Sequence, residues 1–271
     1  MRDDENVRGR YAGKAGEEWD RLQATPITRI EYLVTSHCLA RHLPPTGLIL
    51  DAGCGPGRYA IDLARRGYRL VMLDLVREML RFGREKVIES GVEARVAAPI
   101  EGDLAALPYG DGSFDAVVSL GAPLSHITDP QLRHRAISEA ARVLRPGGKA
   151  LVTGLGRIAA YRGVVYWGDW ETFDGQLVAG DRARGLLDGS QLWYLFAPGE
   201  LEGLVREAAL DVIEVVGCES LATHLPMAHL EALEQDPRRW PVWRDIILES
   251  CSEPSIVGIS NHLLVVAHKP L

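Results

Sequence analysis

Hydrophobic and polar positions change their spacing early in the chain. Residues 1–46 are first polar and charged, and their apolar side chains then recur at helical intervals over residues 27–39. From Leu48 onwards, short apolar runs alternate with amphipathic segments, a pattern typical of strands and helices around a mainly parallel sheet. The pattern therefore predicts an α/β fold preceded by a helix that ends near Pro44 and Pro45.

Seven apolar runs have the length of buried strands. They cover residues 48–51, 69–73, 94–98, 115–120, 149–153, 212–216 and 262–267. The intervening segments with helical spacing cover residues 58–66, 76–90, 130–144 and 200–209. The third helix has the clearest ends, because Asp129 can cap its free N–H groups, Pro130 suits its first turn, and the Pro-Gly-Gly sequence at 146–148 ends it.

The chain shows no internal repeat or flexible linker, so we predict a single domain over residues 1–271. Within it, residues 1–46 form an N-terminal helical cap and residues 47–154 form the core. Two long stretches, 155–198 and 219–261, do not follow the alternation and carry many aromatic residues. We interpret both as insertions that cover a substrate site, because pockets for small molecules are mostly apolar and aromatic. The alternative is that these aromatic residues fill the core beneath long connections.

Composition and charge restrict the kinds of partner, such as nucleic acid, membrane or metal, that the protein is expected to bind. The 271 residues are 46% hydrophobic and 25% charged, and the formal net charge of -7 predicts no generic attraction to nucleic acid or to an anionic membrane. No apolar run approaches the roughly 18 residues of a spanning helix, and the N-terminus lacks the apolar core of a signal peptide, which predicts a cytoplasmic protein. The cysteines and histidines show no metal-binding spacing, so we predict no metal.

A glycine-rich turn follows the first predicted strand. Gly53, Gly55 and Gly57 leave no side chain between the backbone and a ligand, and glycine tolerates the positive φ angles of such turns. The spacing also satisfies the loose dinucleotide fingerprint G-x-G-x-x-G/A, with Asp74 about 20 residues further on. Taken alone, the motif does not distinguish a dinucleotide from another nucleotide-like ligand.

Asp51, at the tip of the strand before the glycines, discriminates between these ligands. A carboxylate there is unfavourable beside a pyrophosphate, but it can pair with the ammonium group of a methionine moiety. S-adenosylmethionine carries this ammonium group and no phosphate. The position of Asp51 therefore favours S-adenosylmethionine over a dinucleotide.

The sequence Asp51-x-Gly53-x-Gly55-x-Gly57 resembles the first motif of the class I S-adenosylmethionine-dependent methyltransferases. The resemblance implies that the backbone of this loop, including Cys54, lies along the amino-acid part of the cofactor.

Further segments resemble the next motifs of the same family. Asp74 matches the acidic residue that accepts hydrogen bonds from both ribose hydroxyls, which is a charge-assisted interaction. Asp103, within Glu-Gly-Asp-Leu, matches the residue that meets the adenine amino group, although it could instead be a helix cap or turn residue. The resemblance implies apolar contacts with the cofactor from Leu75, Met79, Leu104 and Leu120.

Residues 111–126 and 139–148 resemble the small-molecule branch of this family. The resemblance implies a Rossmann-like, seven-stranded, mostly parallel sheet of order 3-2-1-4-5-7-6, with helices on both faces. The two long stretches then become insertions after strand 5 and between strands 6 and 7.

The activity that the resemblance implies is methyl transfer from S-adenosylmethionine to an oxygen, nitrogen or sulfur atom of a small metabolite by direct in-line displacement. His126 is the candidate general base, because it follows the fourth strand at the edge where ligands bind in open α/β sheets. The alternative is that His126 bonds the backbone or lines the pocket without moving a proton. The region after the fourth strand lacks the motif of enzymes that methylate nucleic-acid bases, so nucleic acids are disfavoured as substrates.

Two other functions stay open at this point. One is an NAD(P)-dependent oxidoreductase, which the loose glycine fingerprint permits. The other is a regulatory protein that binds S-adenosylmethionine without catalysis. The second insertion, residues 219–261, could shape the substrate pocket or form the contact of a homodimer.

Overall fold

Among the described residues, the central sheet contains seven strands that correspond to the predicted apolar runs and one short additional strand, and two further short strands form a separate sheet. The computed structural model describes residues 3–178, 186–188 and 191–271. The strands of this described part are β1 Leu48–Ala52, β2 Arg69–Asp74, β3 Ile100–Glu101, β4 Phe114–Ser119, β5 Leu144–Gly156, β6 Leu186–Asp188, β7 Gln191–Trp193, β8 Leu195–Phe196, β9 Asp211–Gly217 and β10 His262–His268.

Helices precede, connect and follow these strands. They are α1 Asp3–Tyr11, α2 Ala15–Ala24, α3 Pro26–His42, α4 Arg58–Arg65, α5 Arg77–Glu89, α6 Pro130–Val143, α7 Arg157–Trp167, α8 Trp170–Thr172, α9 Glu200–Glu207, α10 Met227–Gln235, α11 Arg239–Ser250 and α12 Pro254–Val257. Short 3-10 helices cover Glu93–Arg95, Pro123–His126 and Ser220–Ala222, and a π-helix covers Phe173–Val178.

The strand order confirms the predicted topology. The main sheet runs β3-β2-β1-β4-β5-β10-β9, which is 3-2-1-4-5-7-6 when β9 and β10 are counted as the sixth and seventh strands. Neighbours from β3 to β5 are parallel, and β10 is antiparallel to both β5 and β9. The additional strand β8 pairs with the end of β5, and β6 with β7 forms a separate two-stranded sheet.

The strands are apolar on both faces because helices cover both sides of the sheet. Successive strand residues point to opposite faces, so Ile49 and Leu50 of β1 enter different hydrophobic clusters. The cluster of Ile49 includes residues of α3 and α4, and that of Leu50 includes residues of α6 and α9. This layering confirms the predicted arrangement of helices around the sheet.

The start of α6 is as the capping pattern predicts, but its end differs. Asp129 accepts hydrogen bonds from the backbone N–H groups of Gln131 at 2.7 Å and Leu132 at 3.1 Å. Strand β5 begins at Leu144 and includes the Pro-Gly-Gly sequence that was expected to separate helix from strand. The strand starts early because Leu144 pairs with Phe114 of β4, a long-range contact that local turn residues do not reveal.

The third strand is the one element predicted at the wrong place. Residues 93–95 form a 3-10 helix, and the strand lies at Ile100–Glu101 instead of residues 94–98. Only an isolated bridge between Val96 and Leu70 joins the predicted segment to the sheet. Pro99 has no N–H group to donate, so continuous pairing resumes only beyond it.

The N-terminal region and the second insertion pack together. The described part of the N-terminal region, residues 3–46, contains three helices instead of one, and the last, α3, ends at His42 as the Pro44–Pro45 signal predicts. Helices α10 and α11 of residues 219–261 pack on α3, and Trp240 and Trp243 lie against the core cluster there.

Candidate active site

A cavity opens at the carboxyl ends of β1, β2, β3 and β4, which is where open α/β sheets bind ligands. Helices α1 and α2 contribute the opposite wall. The predicted site residues on the cavity wall are Gly53, Cys54, Gly55, Asp74, Leu75, Met79, Asp103, Leu104, Leu120 and His126. Asp51, in β1, and Gly57, at the end of the loop before α4, are not on the wall.

The glycine loop has the backbone conformation that its sequence predicts. Gly53, Gly55 and Gly57 have φ angles of 78°, 52° and 81°. A Cβ atom on Gly57 would lie 2.4 Å from the Met72 Cε, and one on Gly53 would lie 2.7 Å from the Pro123 Cγ. A Cβ atom on Gly55 would meet nothing within 4 Å, because this residue borders the open cavity. The loop therefore offers bare backbone to a ligand.

Asp74 lies at the end of β2 with its carboxylate directed to the loop. Oδ2 accepts a hydrogen bond from the Gly55 N–H at 2.7 Å, and Oδ1 accepts one from the Val76 N–H at 2.8 Å. Burial raises the pKa of Asp74, while the hydrogen bonds from Val76 and Gly55 lower it. Each carboxylate oxygen has a second lone pair, so Asp74 can still accept hydrogen bonds from a diol in the cavity.

Asp51 is buried and Cys54 is half-buried, and the site favours the protonated form of each. Only 2% of Asp51 is exposed, and burial followed by the negative charge of Asp74 raises its pKa to about 7. Burial raises the pKa of the Cys54 thiol well above its ordinary value, and the charges of Asp51 and Asp74 add to the effect. Cys54 is therefore a neutral thiol in the wall and not a nucleophile.

The far end of the cavity is apolar and suits a planar ring. Leu75 and Met79 come from the β2 side, and Leu104 comes from the loop after β3. Asp103 beside them lines the cavity, and its Oδ1 also accepts a hydrogen bond from the Ala105 N–H at 2.9 Å. Asp103 therefore stabilises the local turn, and its second carboxylate oxygen remains available to a ligand in the cavity.

His126 ends the 3-10 helix after β4 and is only 8% exposed. Its Nε2 lies 3.0 Å from the phenolic oxygen of Tyr11, which α1 brings to the cavity. Burial, and then the charge of Glu18, raise the pKa of Tyr11, so Tyr11 is a neutral phenol, which can donate to or accept from the ring nitrogen according to the imidazole tautomer. The ring of Trp193 lies 4.2 Å from the His126 ring, measured between centroids.

Four polar contacts hold α1 and α2 over the cavity. Arg8 binds Glu101 at 2.6 Å, and the Gly13 N–H donates to Glu78 at 2.9 Å. The Arg58 guanidinium donates to the backbone oxygen of Trp19 and also stacks over its indole ring. The N-terminal region is therefore attached to the loops that line the cavity.

Several cavity residues were not identified from the sequence. Glu18 and Arg21 of α2 and Tyr59 of α4 line the cavity. The first two lie in a region with no motif, and their approach depends on how α2 folds back over the sheet. A usable signal was Glu31, a charged residue between the apolar residues of α3, because a buried carboxylate requires a partner such as Arg21.

The aromatic residues of the first insertion divide into two groups. Tyr166, Trp167 and Trp170 are 40%, 63% and 59% exposed and lie outside the cavity wall. Trp193 contacts His126 at the edge of the cavity. Part of the stretch 155–198 lies outside the described residues, so its proposed role as a cover stays a prediction. Residues 219–261, all of them described, pack on α3 and contribute no residue to the cavity wall.

The cavity has the features of a binding site for an adenosine-containing ligand. A bare backbone loop, a carboxylate able to accept a diol and an apolar slot follow one another along the sheet edge. Residues 49–148 match the methyltransferase domain family. The fold and the site thus define a nucleoside-binding α/β enzyme of the methyltransferase type.

Relatives support this class over most of the chain. The chain is 32% identical over 215 residues to the ubiquinone biosynthesis O-methyltransferase of Xanthomonas axonopodis pv. citri, a match that covers 77% of this chain and 81% of the relative. The chain belongs to the class I S-adenosylmethionine-dependent methyltransferases, and S-adenosylmethionine is its cofactor.

Solved structures share the fold. An S-adenosylmethionine-dependent methyltransferase from Methanosarcina mazei has a TM-score of 0.57 at 20% identity, covering 86% of this chain and 97% of that chain. The 1,6-didemethyltoxoflavin-N1-methyltransferase of Burkholderia thailandensis, solved with S-adenosylhomocysteine, has a TM-score of 0.58 at 16% identity, covering 98% of this chain and 88% of that chain.

Two predictions are thereby decided. Methyl transfer from S-adenosylmethionine is confirmed, and the oxidoreductase alternative is wrong. Within the part of the chain that the structure describes, no helix combines the length and apolar character needed to span a membrane.

Proposed function

We propose that this chain methylates a hydroxyl oxygen of a small, partly apolar metabolite, with His126 as the general base. The observation that carries the proposal is the 3.0 Å distance between His126 Nε2 and the phenolic oxygen of Tyr11 at the cavity wall. A ring nitrogen at hydrogen-bond distance from one phenol has the reach and chemistry to accept the proton of another. The name of the Xanthomonas relative, an O-methyltransferase, supports oxygen as the acceptor atom.

We propose the following residues for the cofactor. Asp74 accepts the ribose hydroxyls, Asp103 the adenine amino group, and the apolar slot holds the ring. The loop backbone with Cys54 follows the methionine part, and Arg21 faces its carboxylate from α2. Asp51 stabilises the ammonium group through the loop. The apolar slot and the neighbouring wall consist of Leu75, Met79, Leu104 and Leu120.

The chain's own contribution to the reaction is to position groups and to exclude water. S-adenosylmethionine, when bound, supplies an electrophilic methyl group on a sulfonium. Helices α1 and α2 close the cavity on the side opposite the sheet, which limits competition from water. His126 Nε2 takes the hydroxyl proton once the substrate replaces Tyr11 as its hydrogen-bond partner, because the neutral imidazole has one nitrogen able to accept it.

The test is a methyl-transfer assay with labelled S-adenosylmethionine and a matched acceptor panel of phenols, anilines and thiophenols. We expect label in the phenol products and a loss of about 100-fold or more in kcat for His126→Asn. Label in the aniline or thiophenol products alone would refute the oxygen assignment. Tight binding of S-adenosylhomocysteine without product from any acceptor class would favour the regulatory alternative.

Sedimentation of the purified chain tests the homodimer prediction separately.

A further inference from the structure

A buried cluster of four charged side chains adjoins the cavity. Arg21 donates to both oxygens of Glu31, from Nη1 at 2.8 Å and from Nη2 at 3.2 Å. His262 Nδ1 lies 2.5 Å from Glu219 Oε1 and 3.8 Å from Glu31 Oε2. The four residues come from α2, α3, the turn after β9 and the first position of β10, so the cluster joins both ends of the chain.

The cluster is electrically balanced. Glu31 is 3% exposed and Glu219 is 1% exposed, so each buried carboxylate requires a positive partner. Burial by itself would lower the pKa of His262, but the charges of Glu31 and Glu219 raise it above its ordinary value. Tyr59 and Cys218, which also face the carboxylates, have pKa values far above neutrality and carry no charge. Within the cluster, two carboxylates thus face one imidazolium and one guanidinium. Glu18 of α2 is a further carboxylate beside Arg21, with its Oε2 3.4 Å from Arg21 Nε.

Three of these groups have ligand atoms within 4.8 Å of one another, a spacing that a metal ion could use. Both oxygens of Glu31, however, already accept hydrogen bonds from Arg21. A cation placed there would also face the guanidinium charge. The geometry therefore indicates a network of ion pairs in place of a metal site.

Arg21 connects this network to the cavity. Its side chain lines the cavity wall, and its Nη2 lies 3.3 Å from where a Cβ atom on Gly121 would stand, at the end of β4. A planar guanidinium has five N–H donors. Two of them bind Glu31, and the Nε–H lies beside Glu18, whose Oε2 is 3.4 Å from Nε. Two N–H donors therefore remain for a ligand in the cavity.

We propose that Glu31, Glu219 and His262 are positioning residues, which hold the Arg21 guanidinium at the cavity wall to bind the carboxylate of the cofactor. The proposal rests on the cofactor site described under the proposed function. His262 satisfies Glu219, so that Glu31 is the one carboxylate of the cluster that binds Arg21, while Glu18 pairs with Arg21 Nε from the same helix. Without the positive charge of His262, two buried carboxylates share one guanidinium and draw it inward, away from the ligand.

The test compares S-adenosylhomocysteine binding by titration calorimetry in charge-altered variants. His262→Gln leaves the network with one unpaired negative charge, and we expect about tenfold weaker binding. Adding Glu219→Gln removes that charge, so the double variant should recover most of the affinity and fold normally. His42→Gln is the matched control, because His42 forms a 2.7 Å pair with Glu214 away from the cavity wall.

The pH dependence gives a second readout. The ratio of the affinity of the unaltered chain to that of the double variant should decline as the pH rises through the raised pKa of His262, because the ionisation of Asp51 affects both proteins alike. Equal affinity of His262→Gln and the unaltered chain would overturn the inference, as would a loss that the double variant does not recover. Failure of the unaltered chain itself to bind S-adenosylhomocysteine would instead refute the cofactor site.

Discussion

Asp51→Asn removes a carboxyl group that the fold buries in β1, before the cofactor loop. Burial, and secondarily the charge of Asp74, raise the pKa of Asp51 to about 7, while a hydrogen bond from the Ala60 backbone acts in the opposite direction. Asparagine has nearly the same size and retains an oxygen that can accept the Ala60 N–H. The substitution therefore isolates the effect of the charge.

The raised pKa sets the sign and size of the effect on stability. The ordinary pKa of an aspartate side chain is 3.8, so the raised pKa of Asp51 contributes its full stabilisation of the folded state below about pH 4. This contribution is lost as the pH rises towards 7. A tenfold change in the ionisation equilibrium corresponds to about 1.36 kcal/mol, so the buried charge costs up to about 4 kcal/mol above about pH 7. The unfolding free energy of Asp51→Asn should therefore exceed that of the unaltered chain by up to about 4 kcal/mol at about pH 8, and by little at about pH 4.

Urea unfolding of both proteins across this pH range measures the difference directly. The exposed Asp20→Asn is the matched control, and its unfolding free energy should follow that of the unaltered chain at every pH. In titrations with S-adenosylhomocysteine the order should reverse, because the ammonium group of the ligand favours the charged Asp51. Parallel pH profiles of unfolding for Asp51→Asn and the unaltered chain would refute the reasoning.

Three further changes test the site. Asp74→Ala leaves two backbone donors without their acceptor and removes the proposed ribose contact, so calorimetry should show at least about tenfold weaker binding of S-adenosylhomocysteine. His126→Asn should lower kcat while leaving the KM for S-adenosylmethionine unchanged, and a parallel rise in that KM would argue for a structural role instead. Gly57→Ala places a Cβ atom 2.4 Å from Met72 at a positive φ and should cost about 3 kcal/mol in thermal unfolding. Gly91→Ala, also at a positive φ but with open space around it, should cost only about 1 kcal/mol.

Local signals predicted most of the fold correctly. The apolar runs of β1, β2, β4, β9 and β10 were located within one or two residues. For the central strands the reason is that strands buried on both faces are continuously apolar. The start of α6 followed from Asp129 and Pro130, whose effects are confined to one helical turn. The third strand was misplaced because its two residues are paired through contacts with β2, and nothing in their own sequence requires a strand.

The candidate site likewise combines features predicted from the local sequence with features that depend on tertiary packing. By itself, the sequence determined the glycine loop and the acidic residue at the end of β2, since each depends on residue type and local spacing, whereas the order of the strands came from the family resemblance. Only the tertiary structure decided that Tyr11 meets His126 across 115 positions of sequence and that Arg21, Glu31, Glu219 and His262 share one buried cluster. Such contacts depend on how α1, α2 and α3 fold back against the sheet, and side chains distant in sequence interact only after that packing has formed.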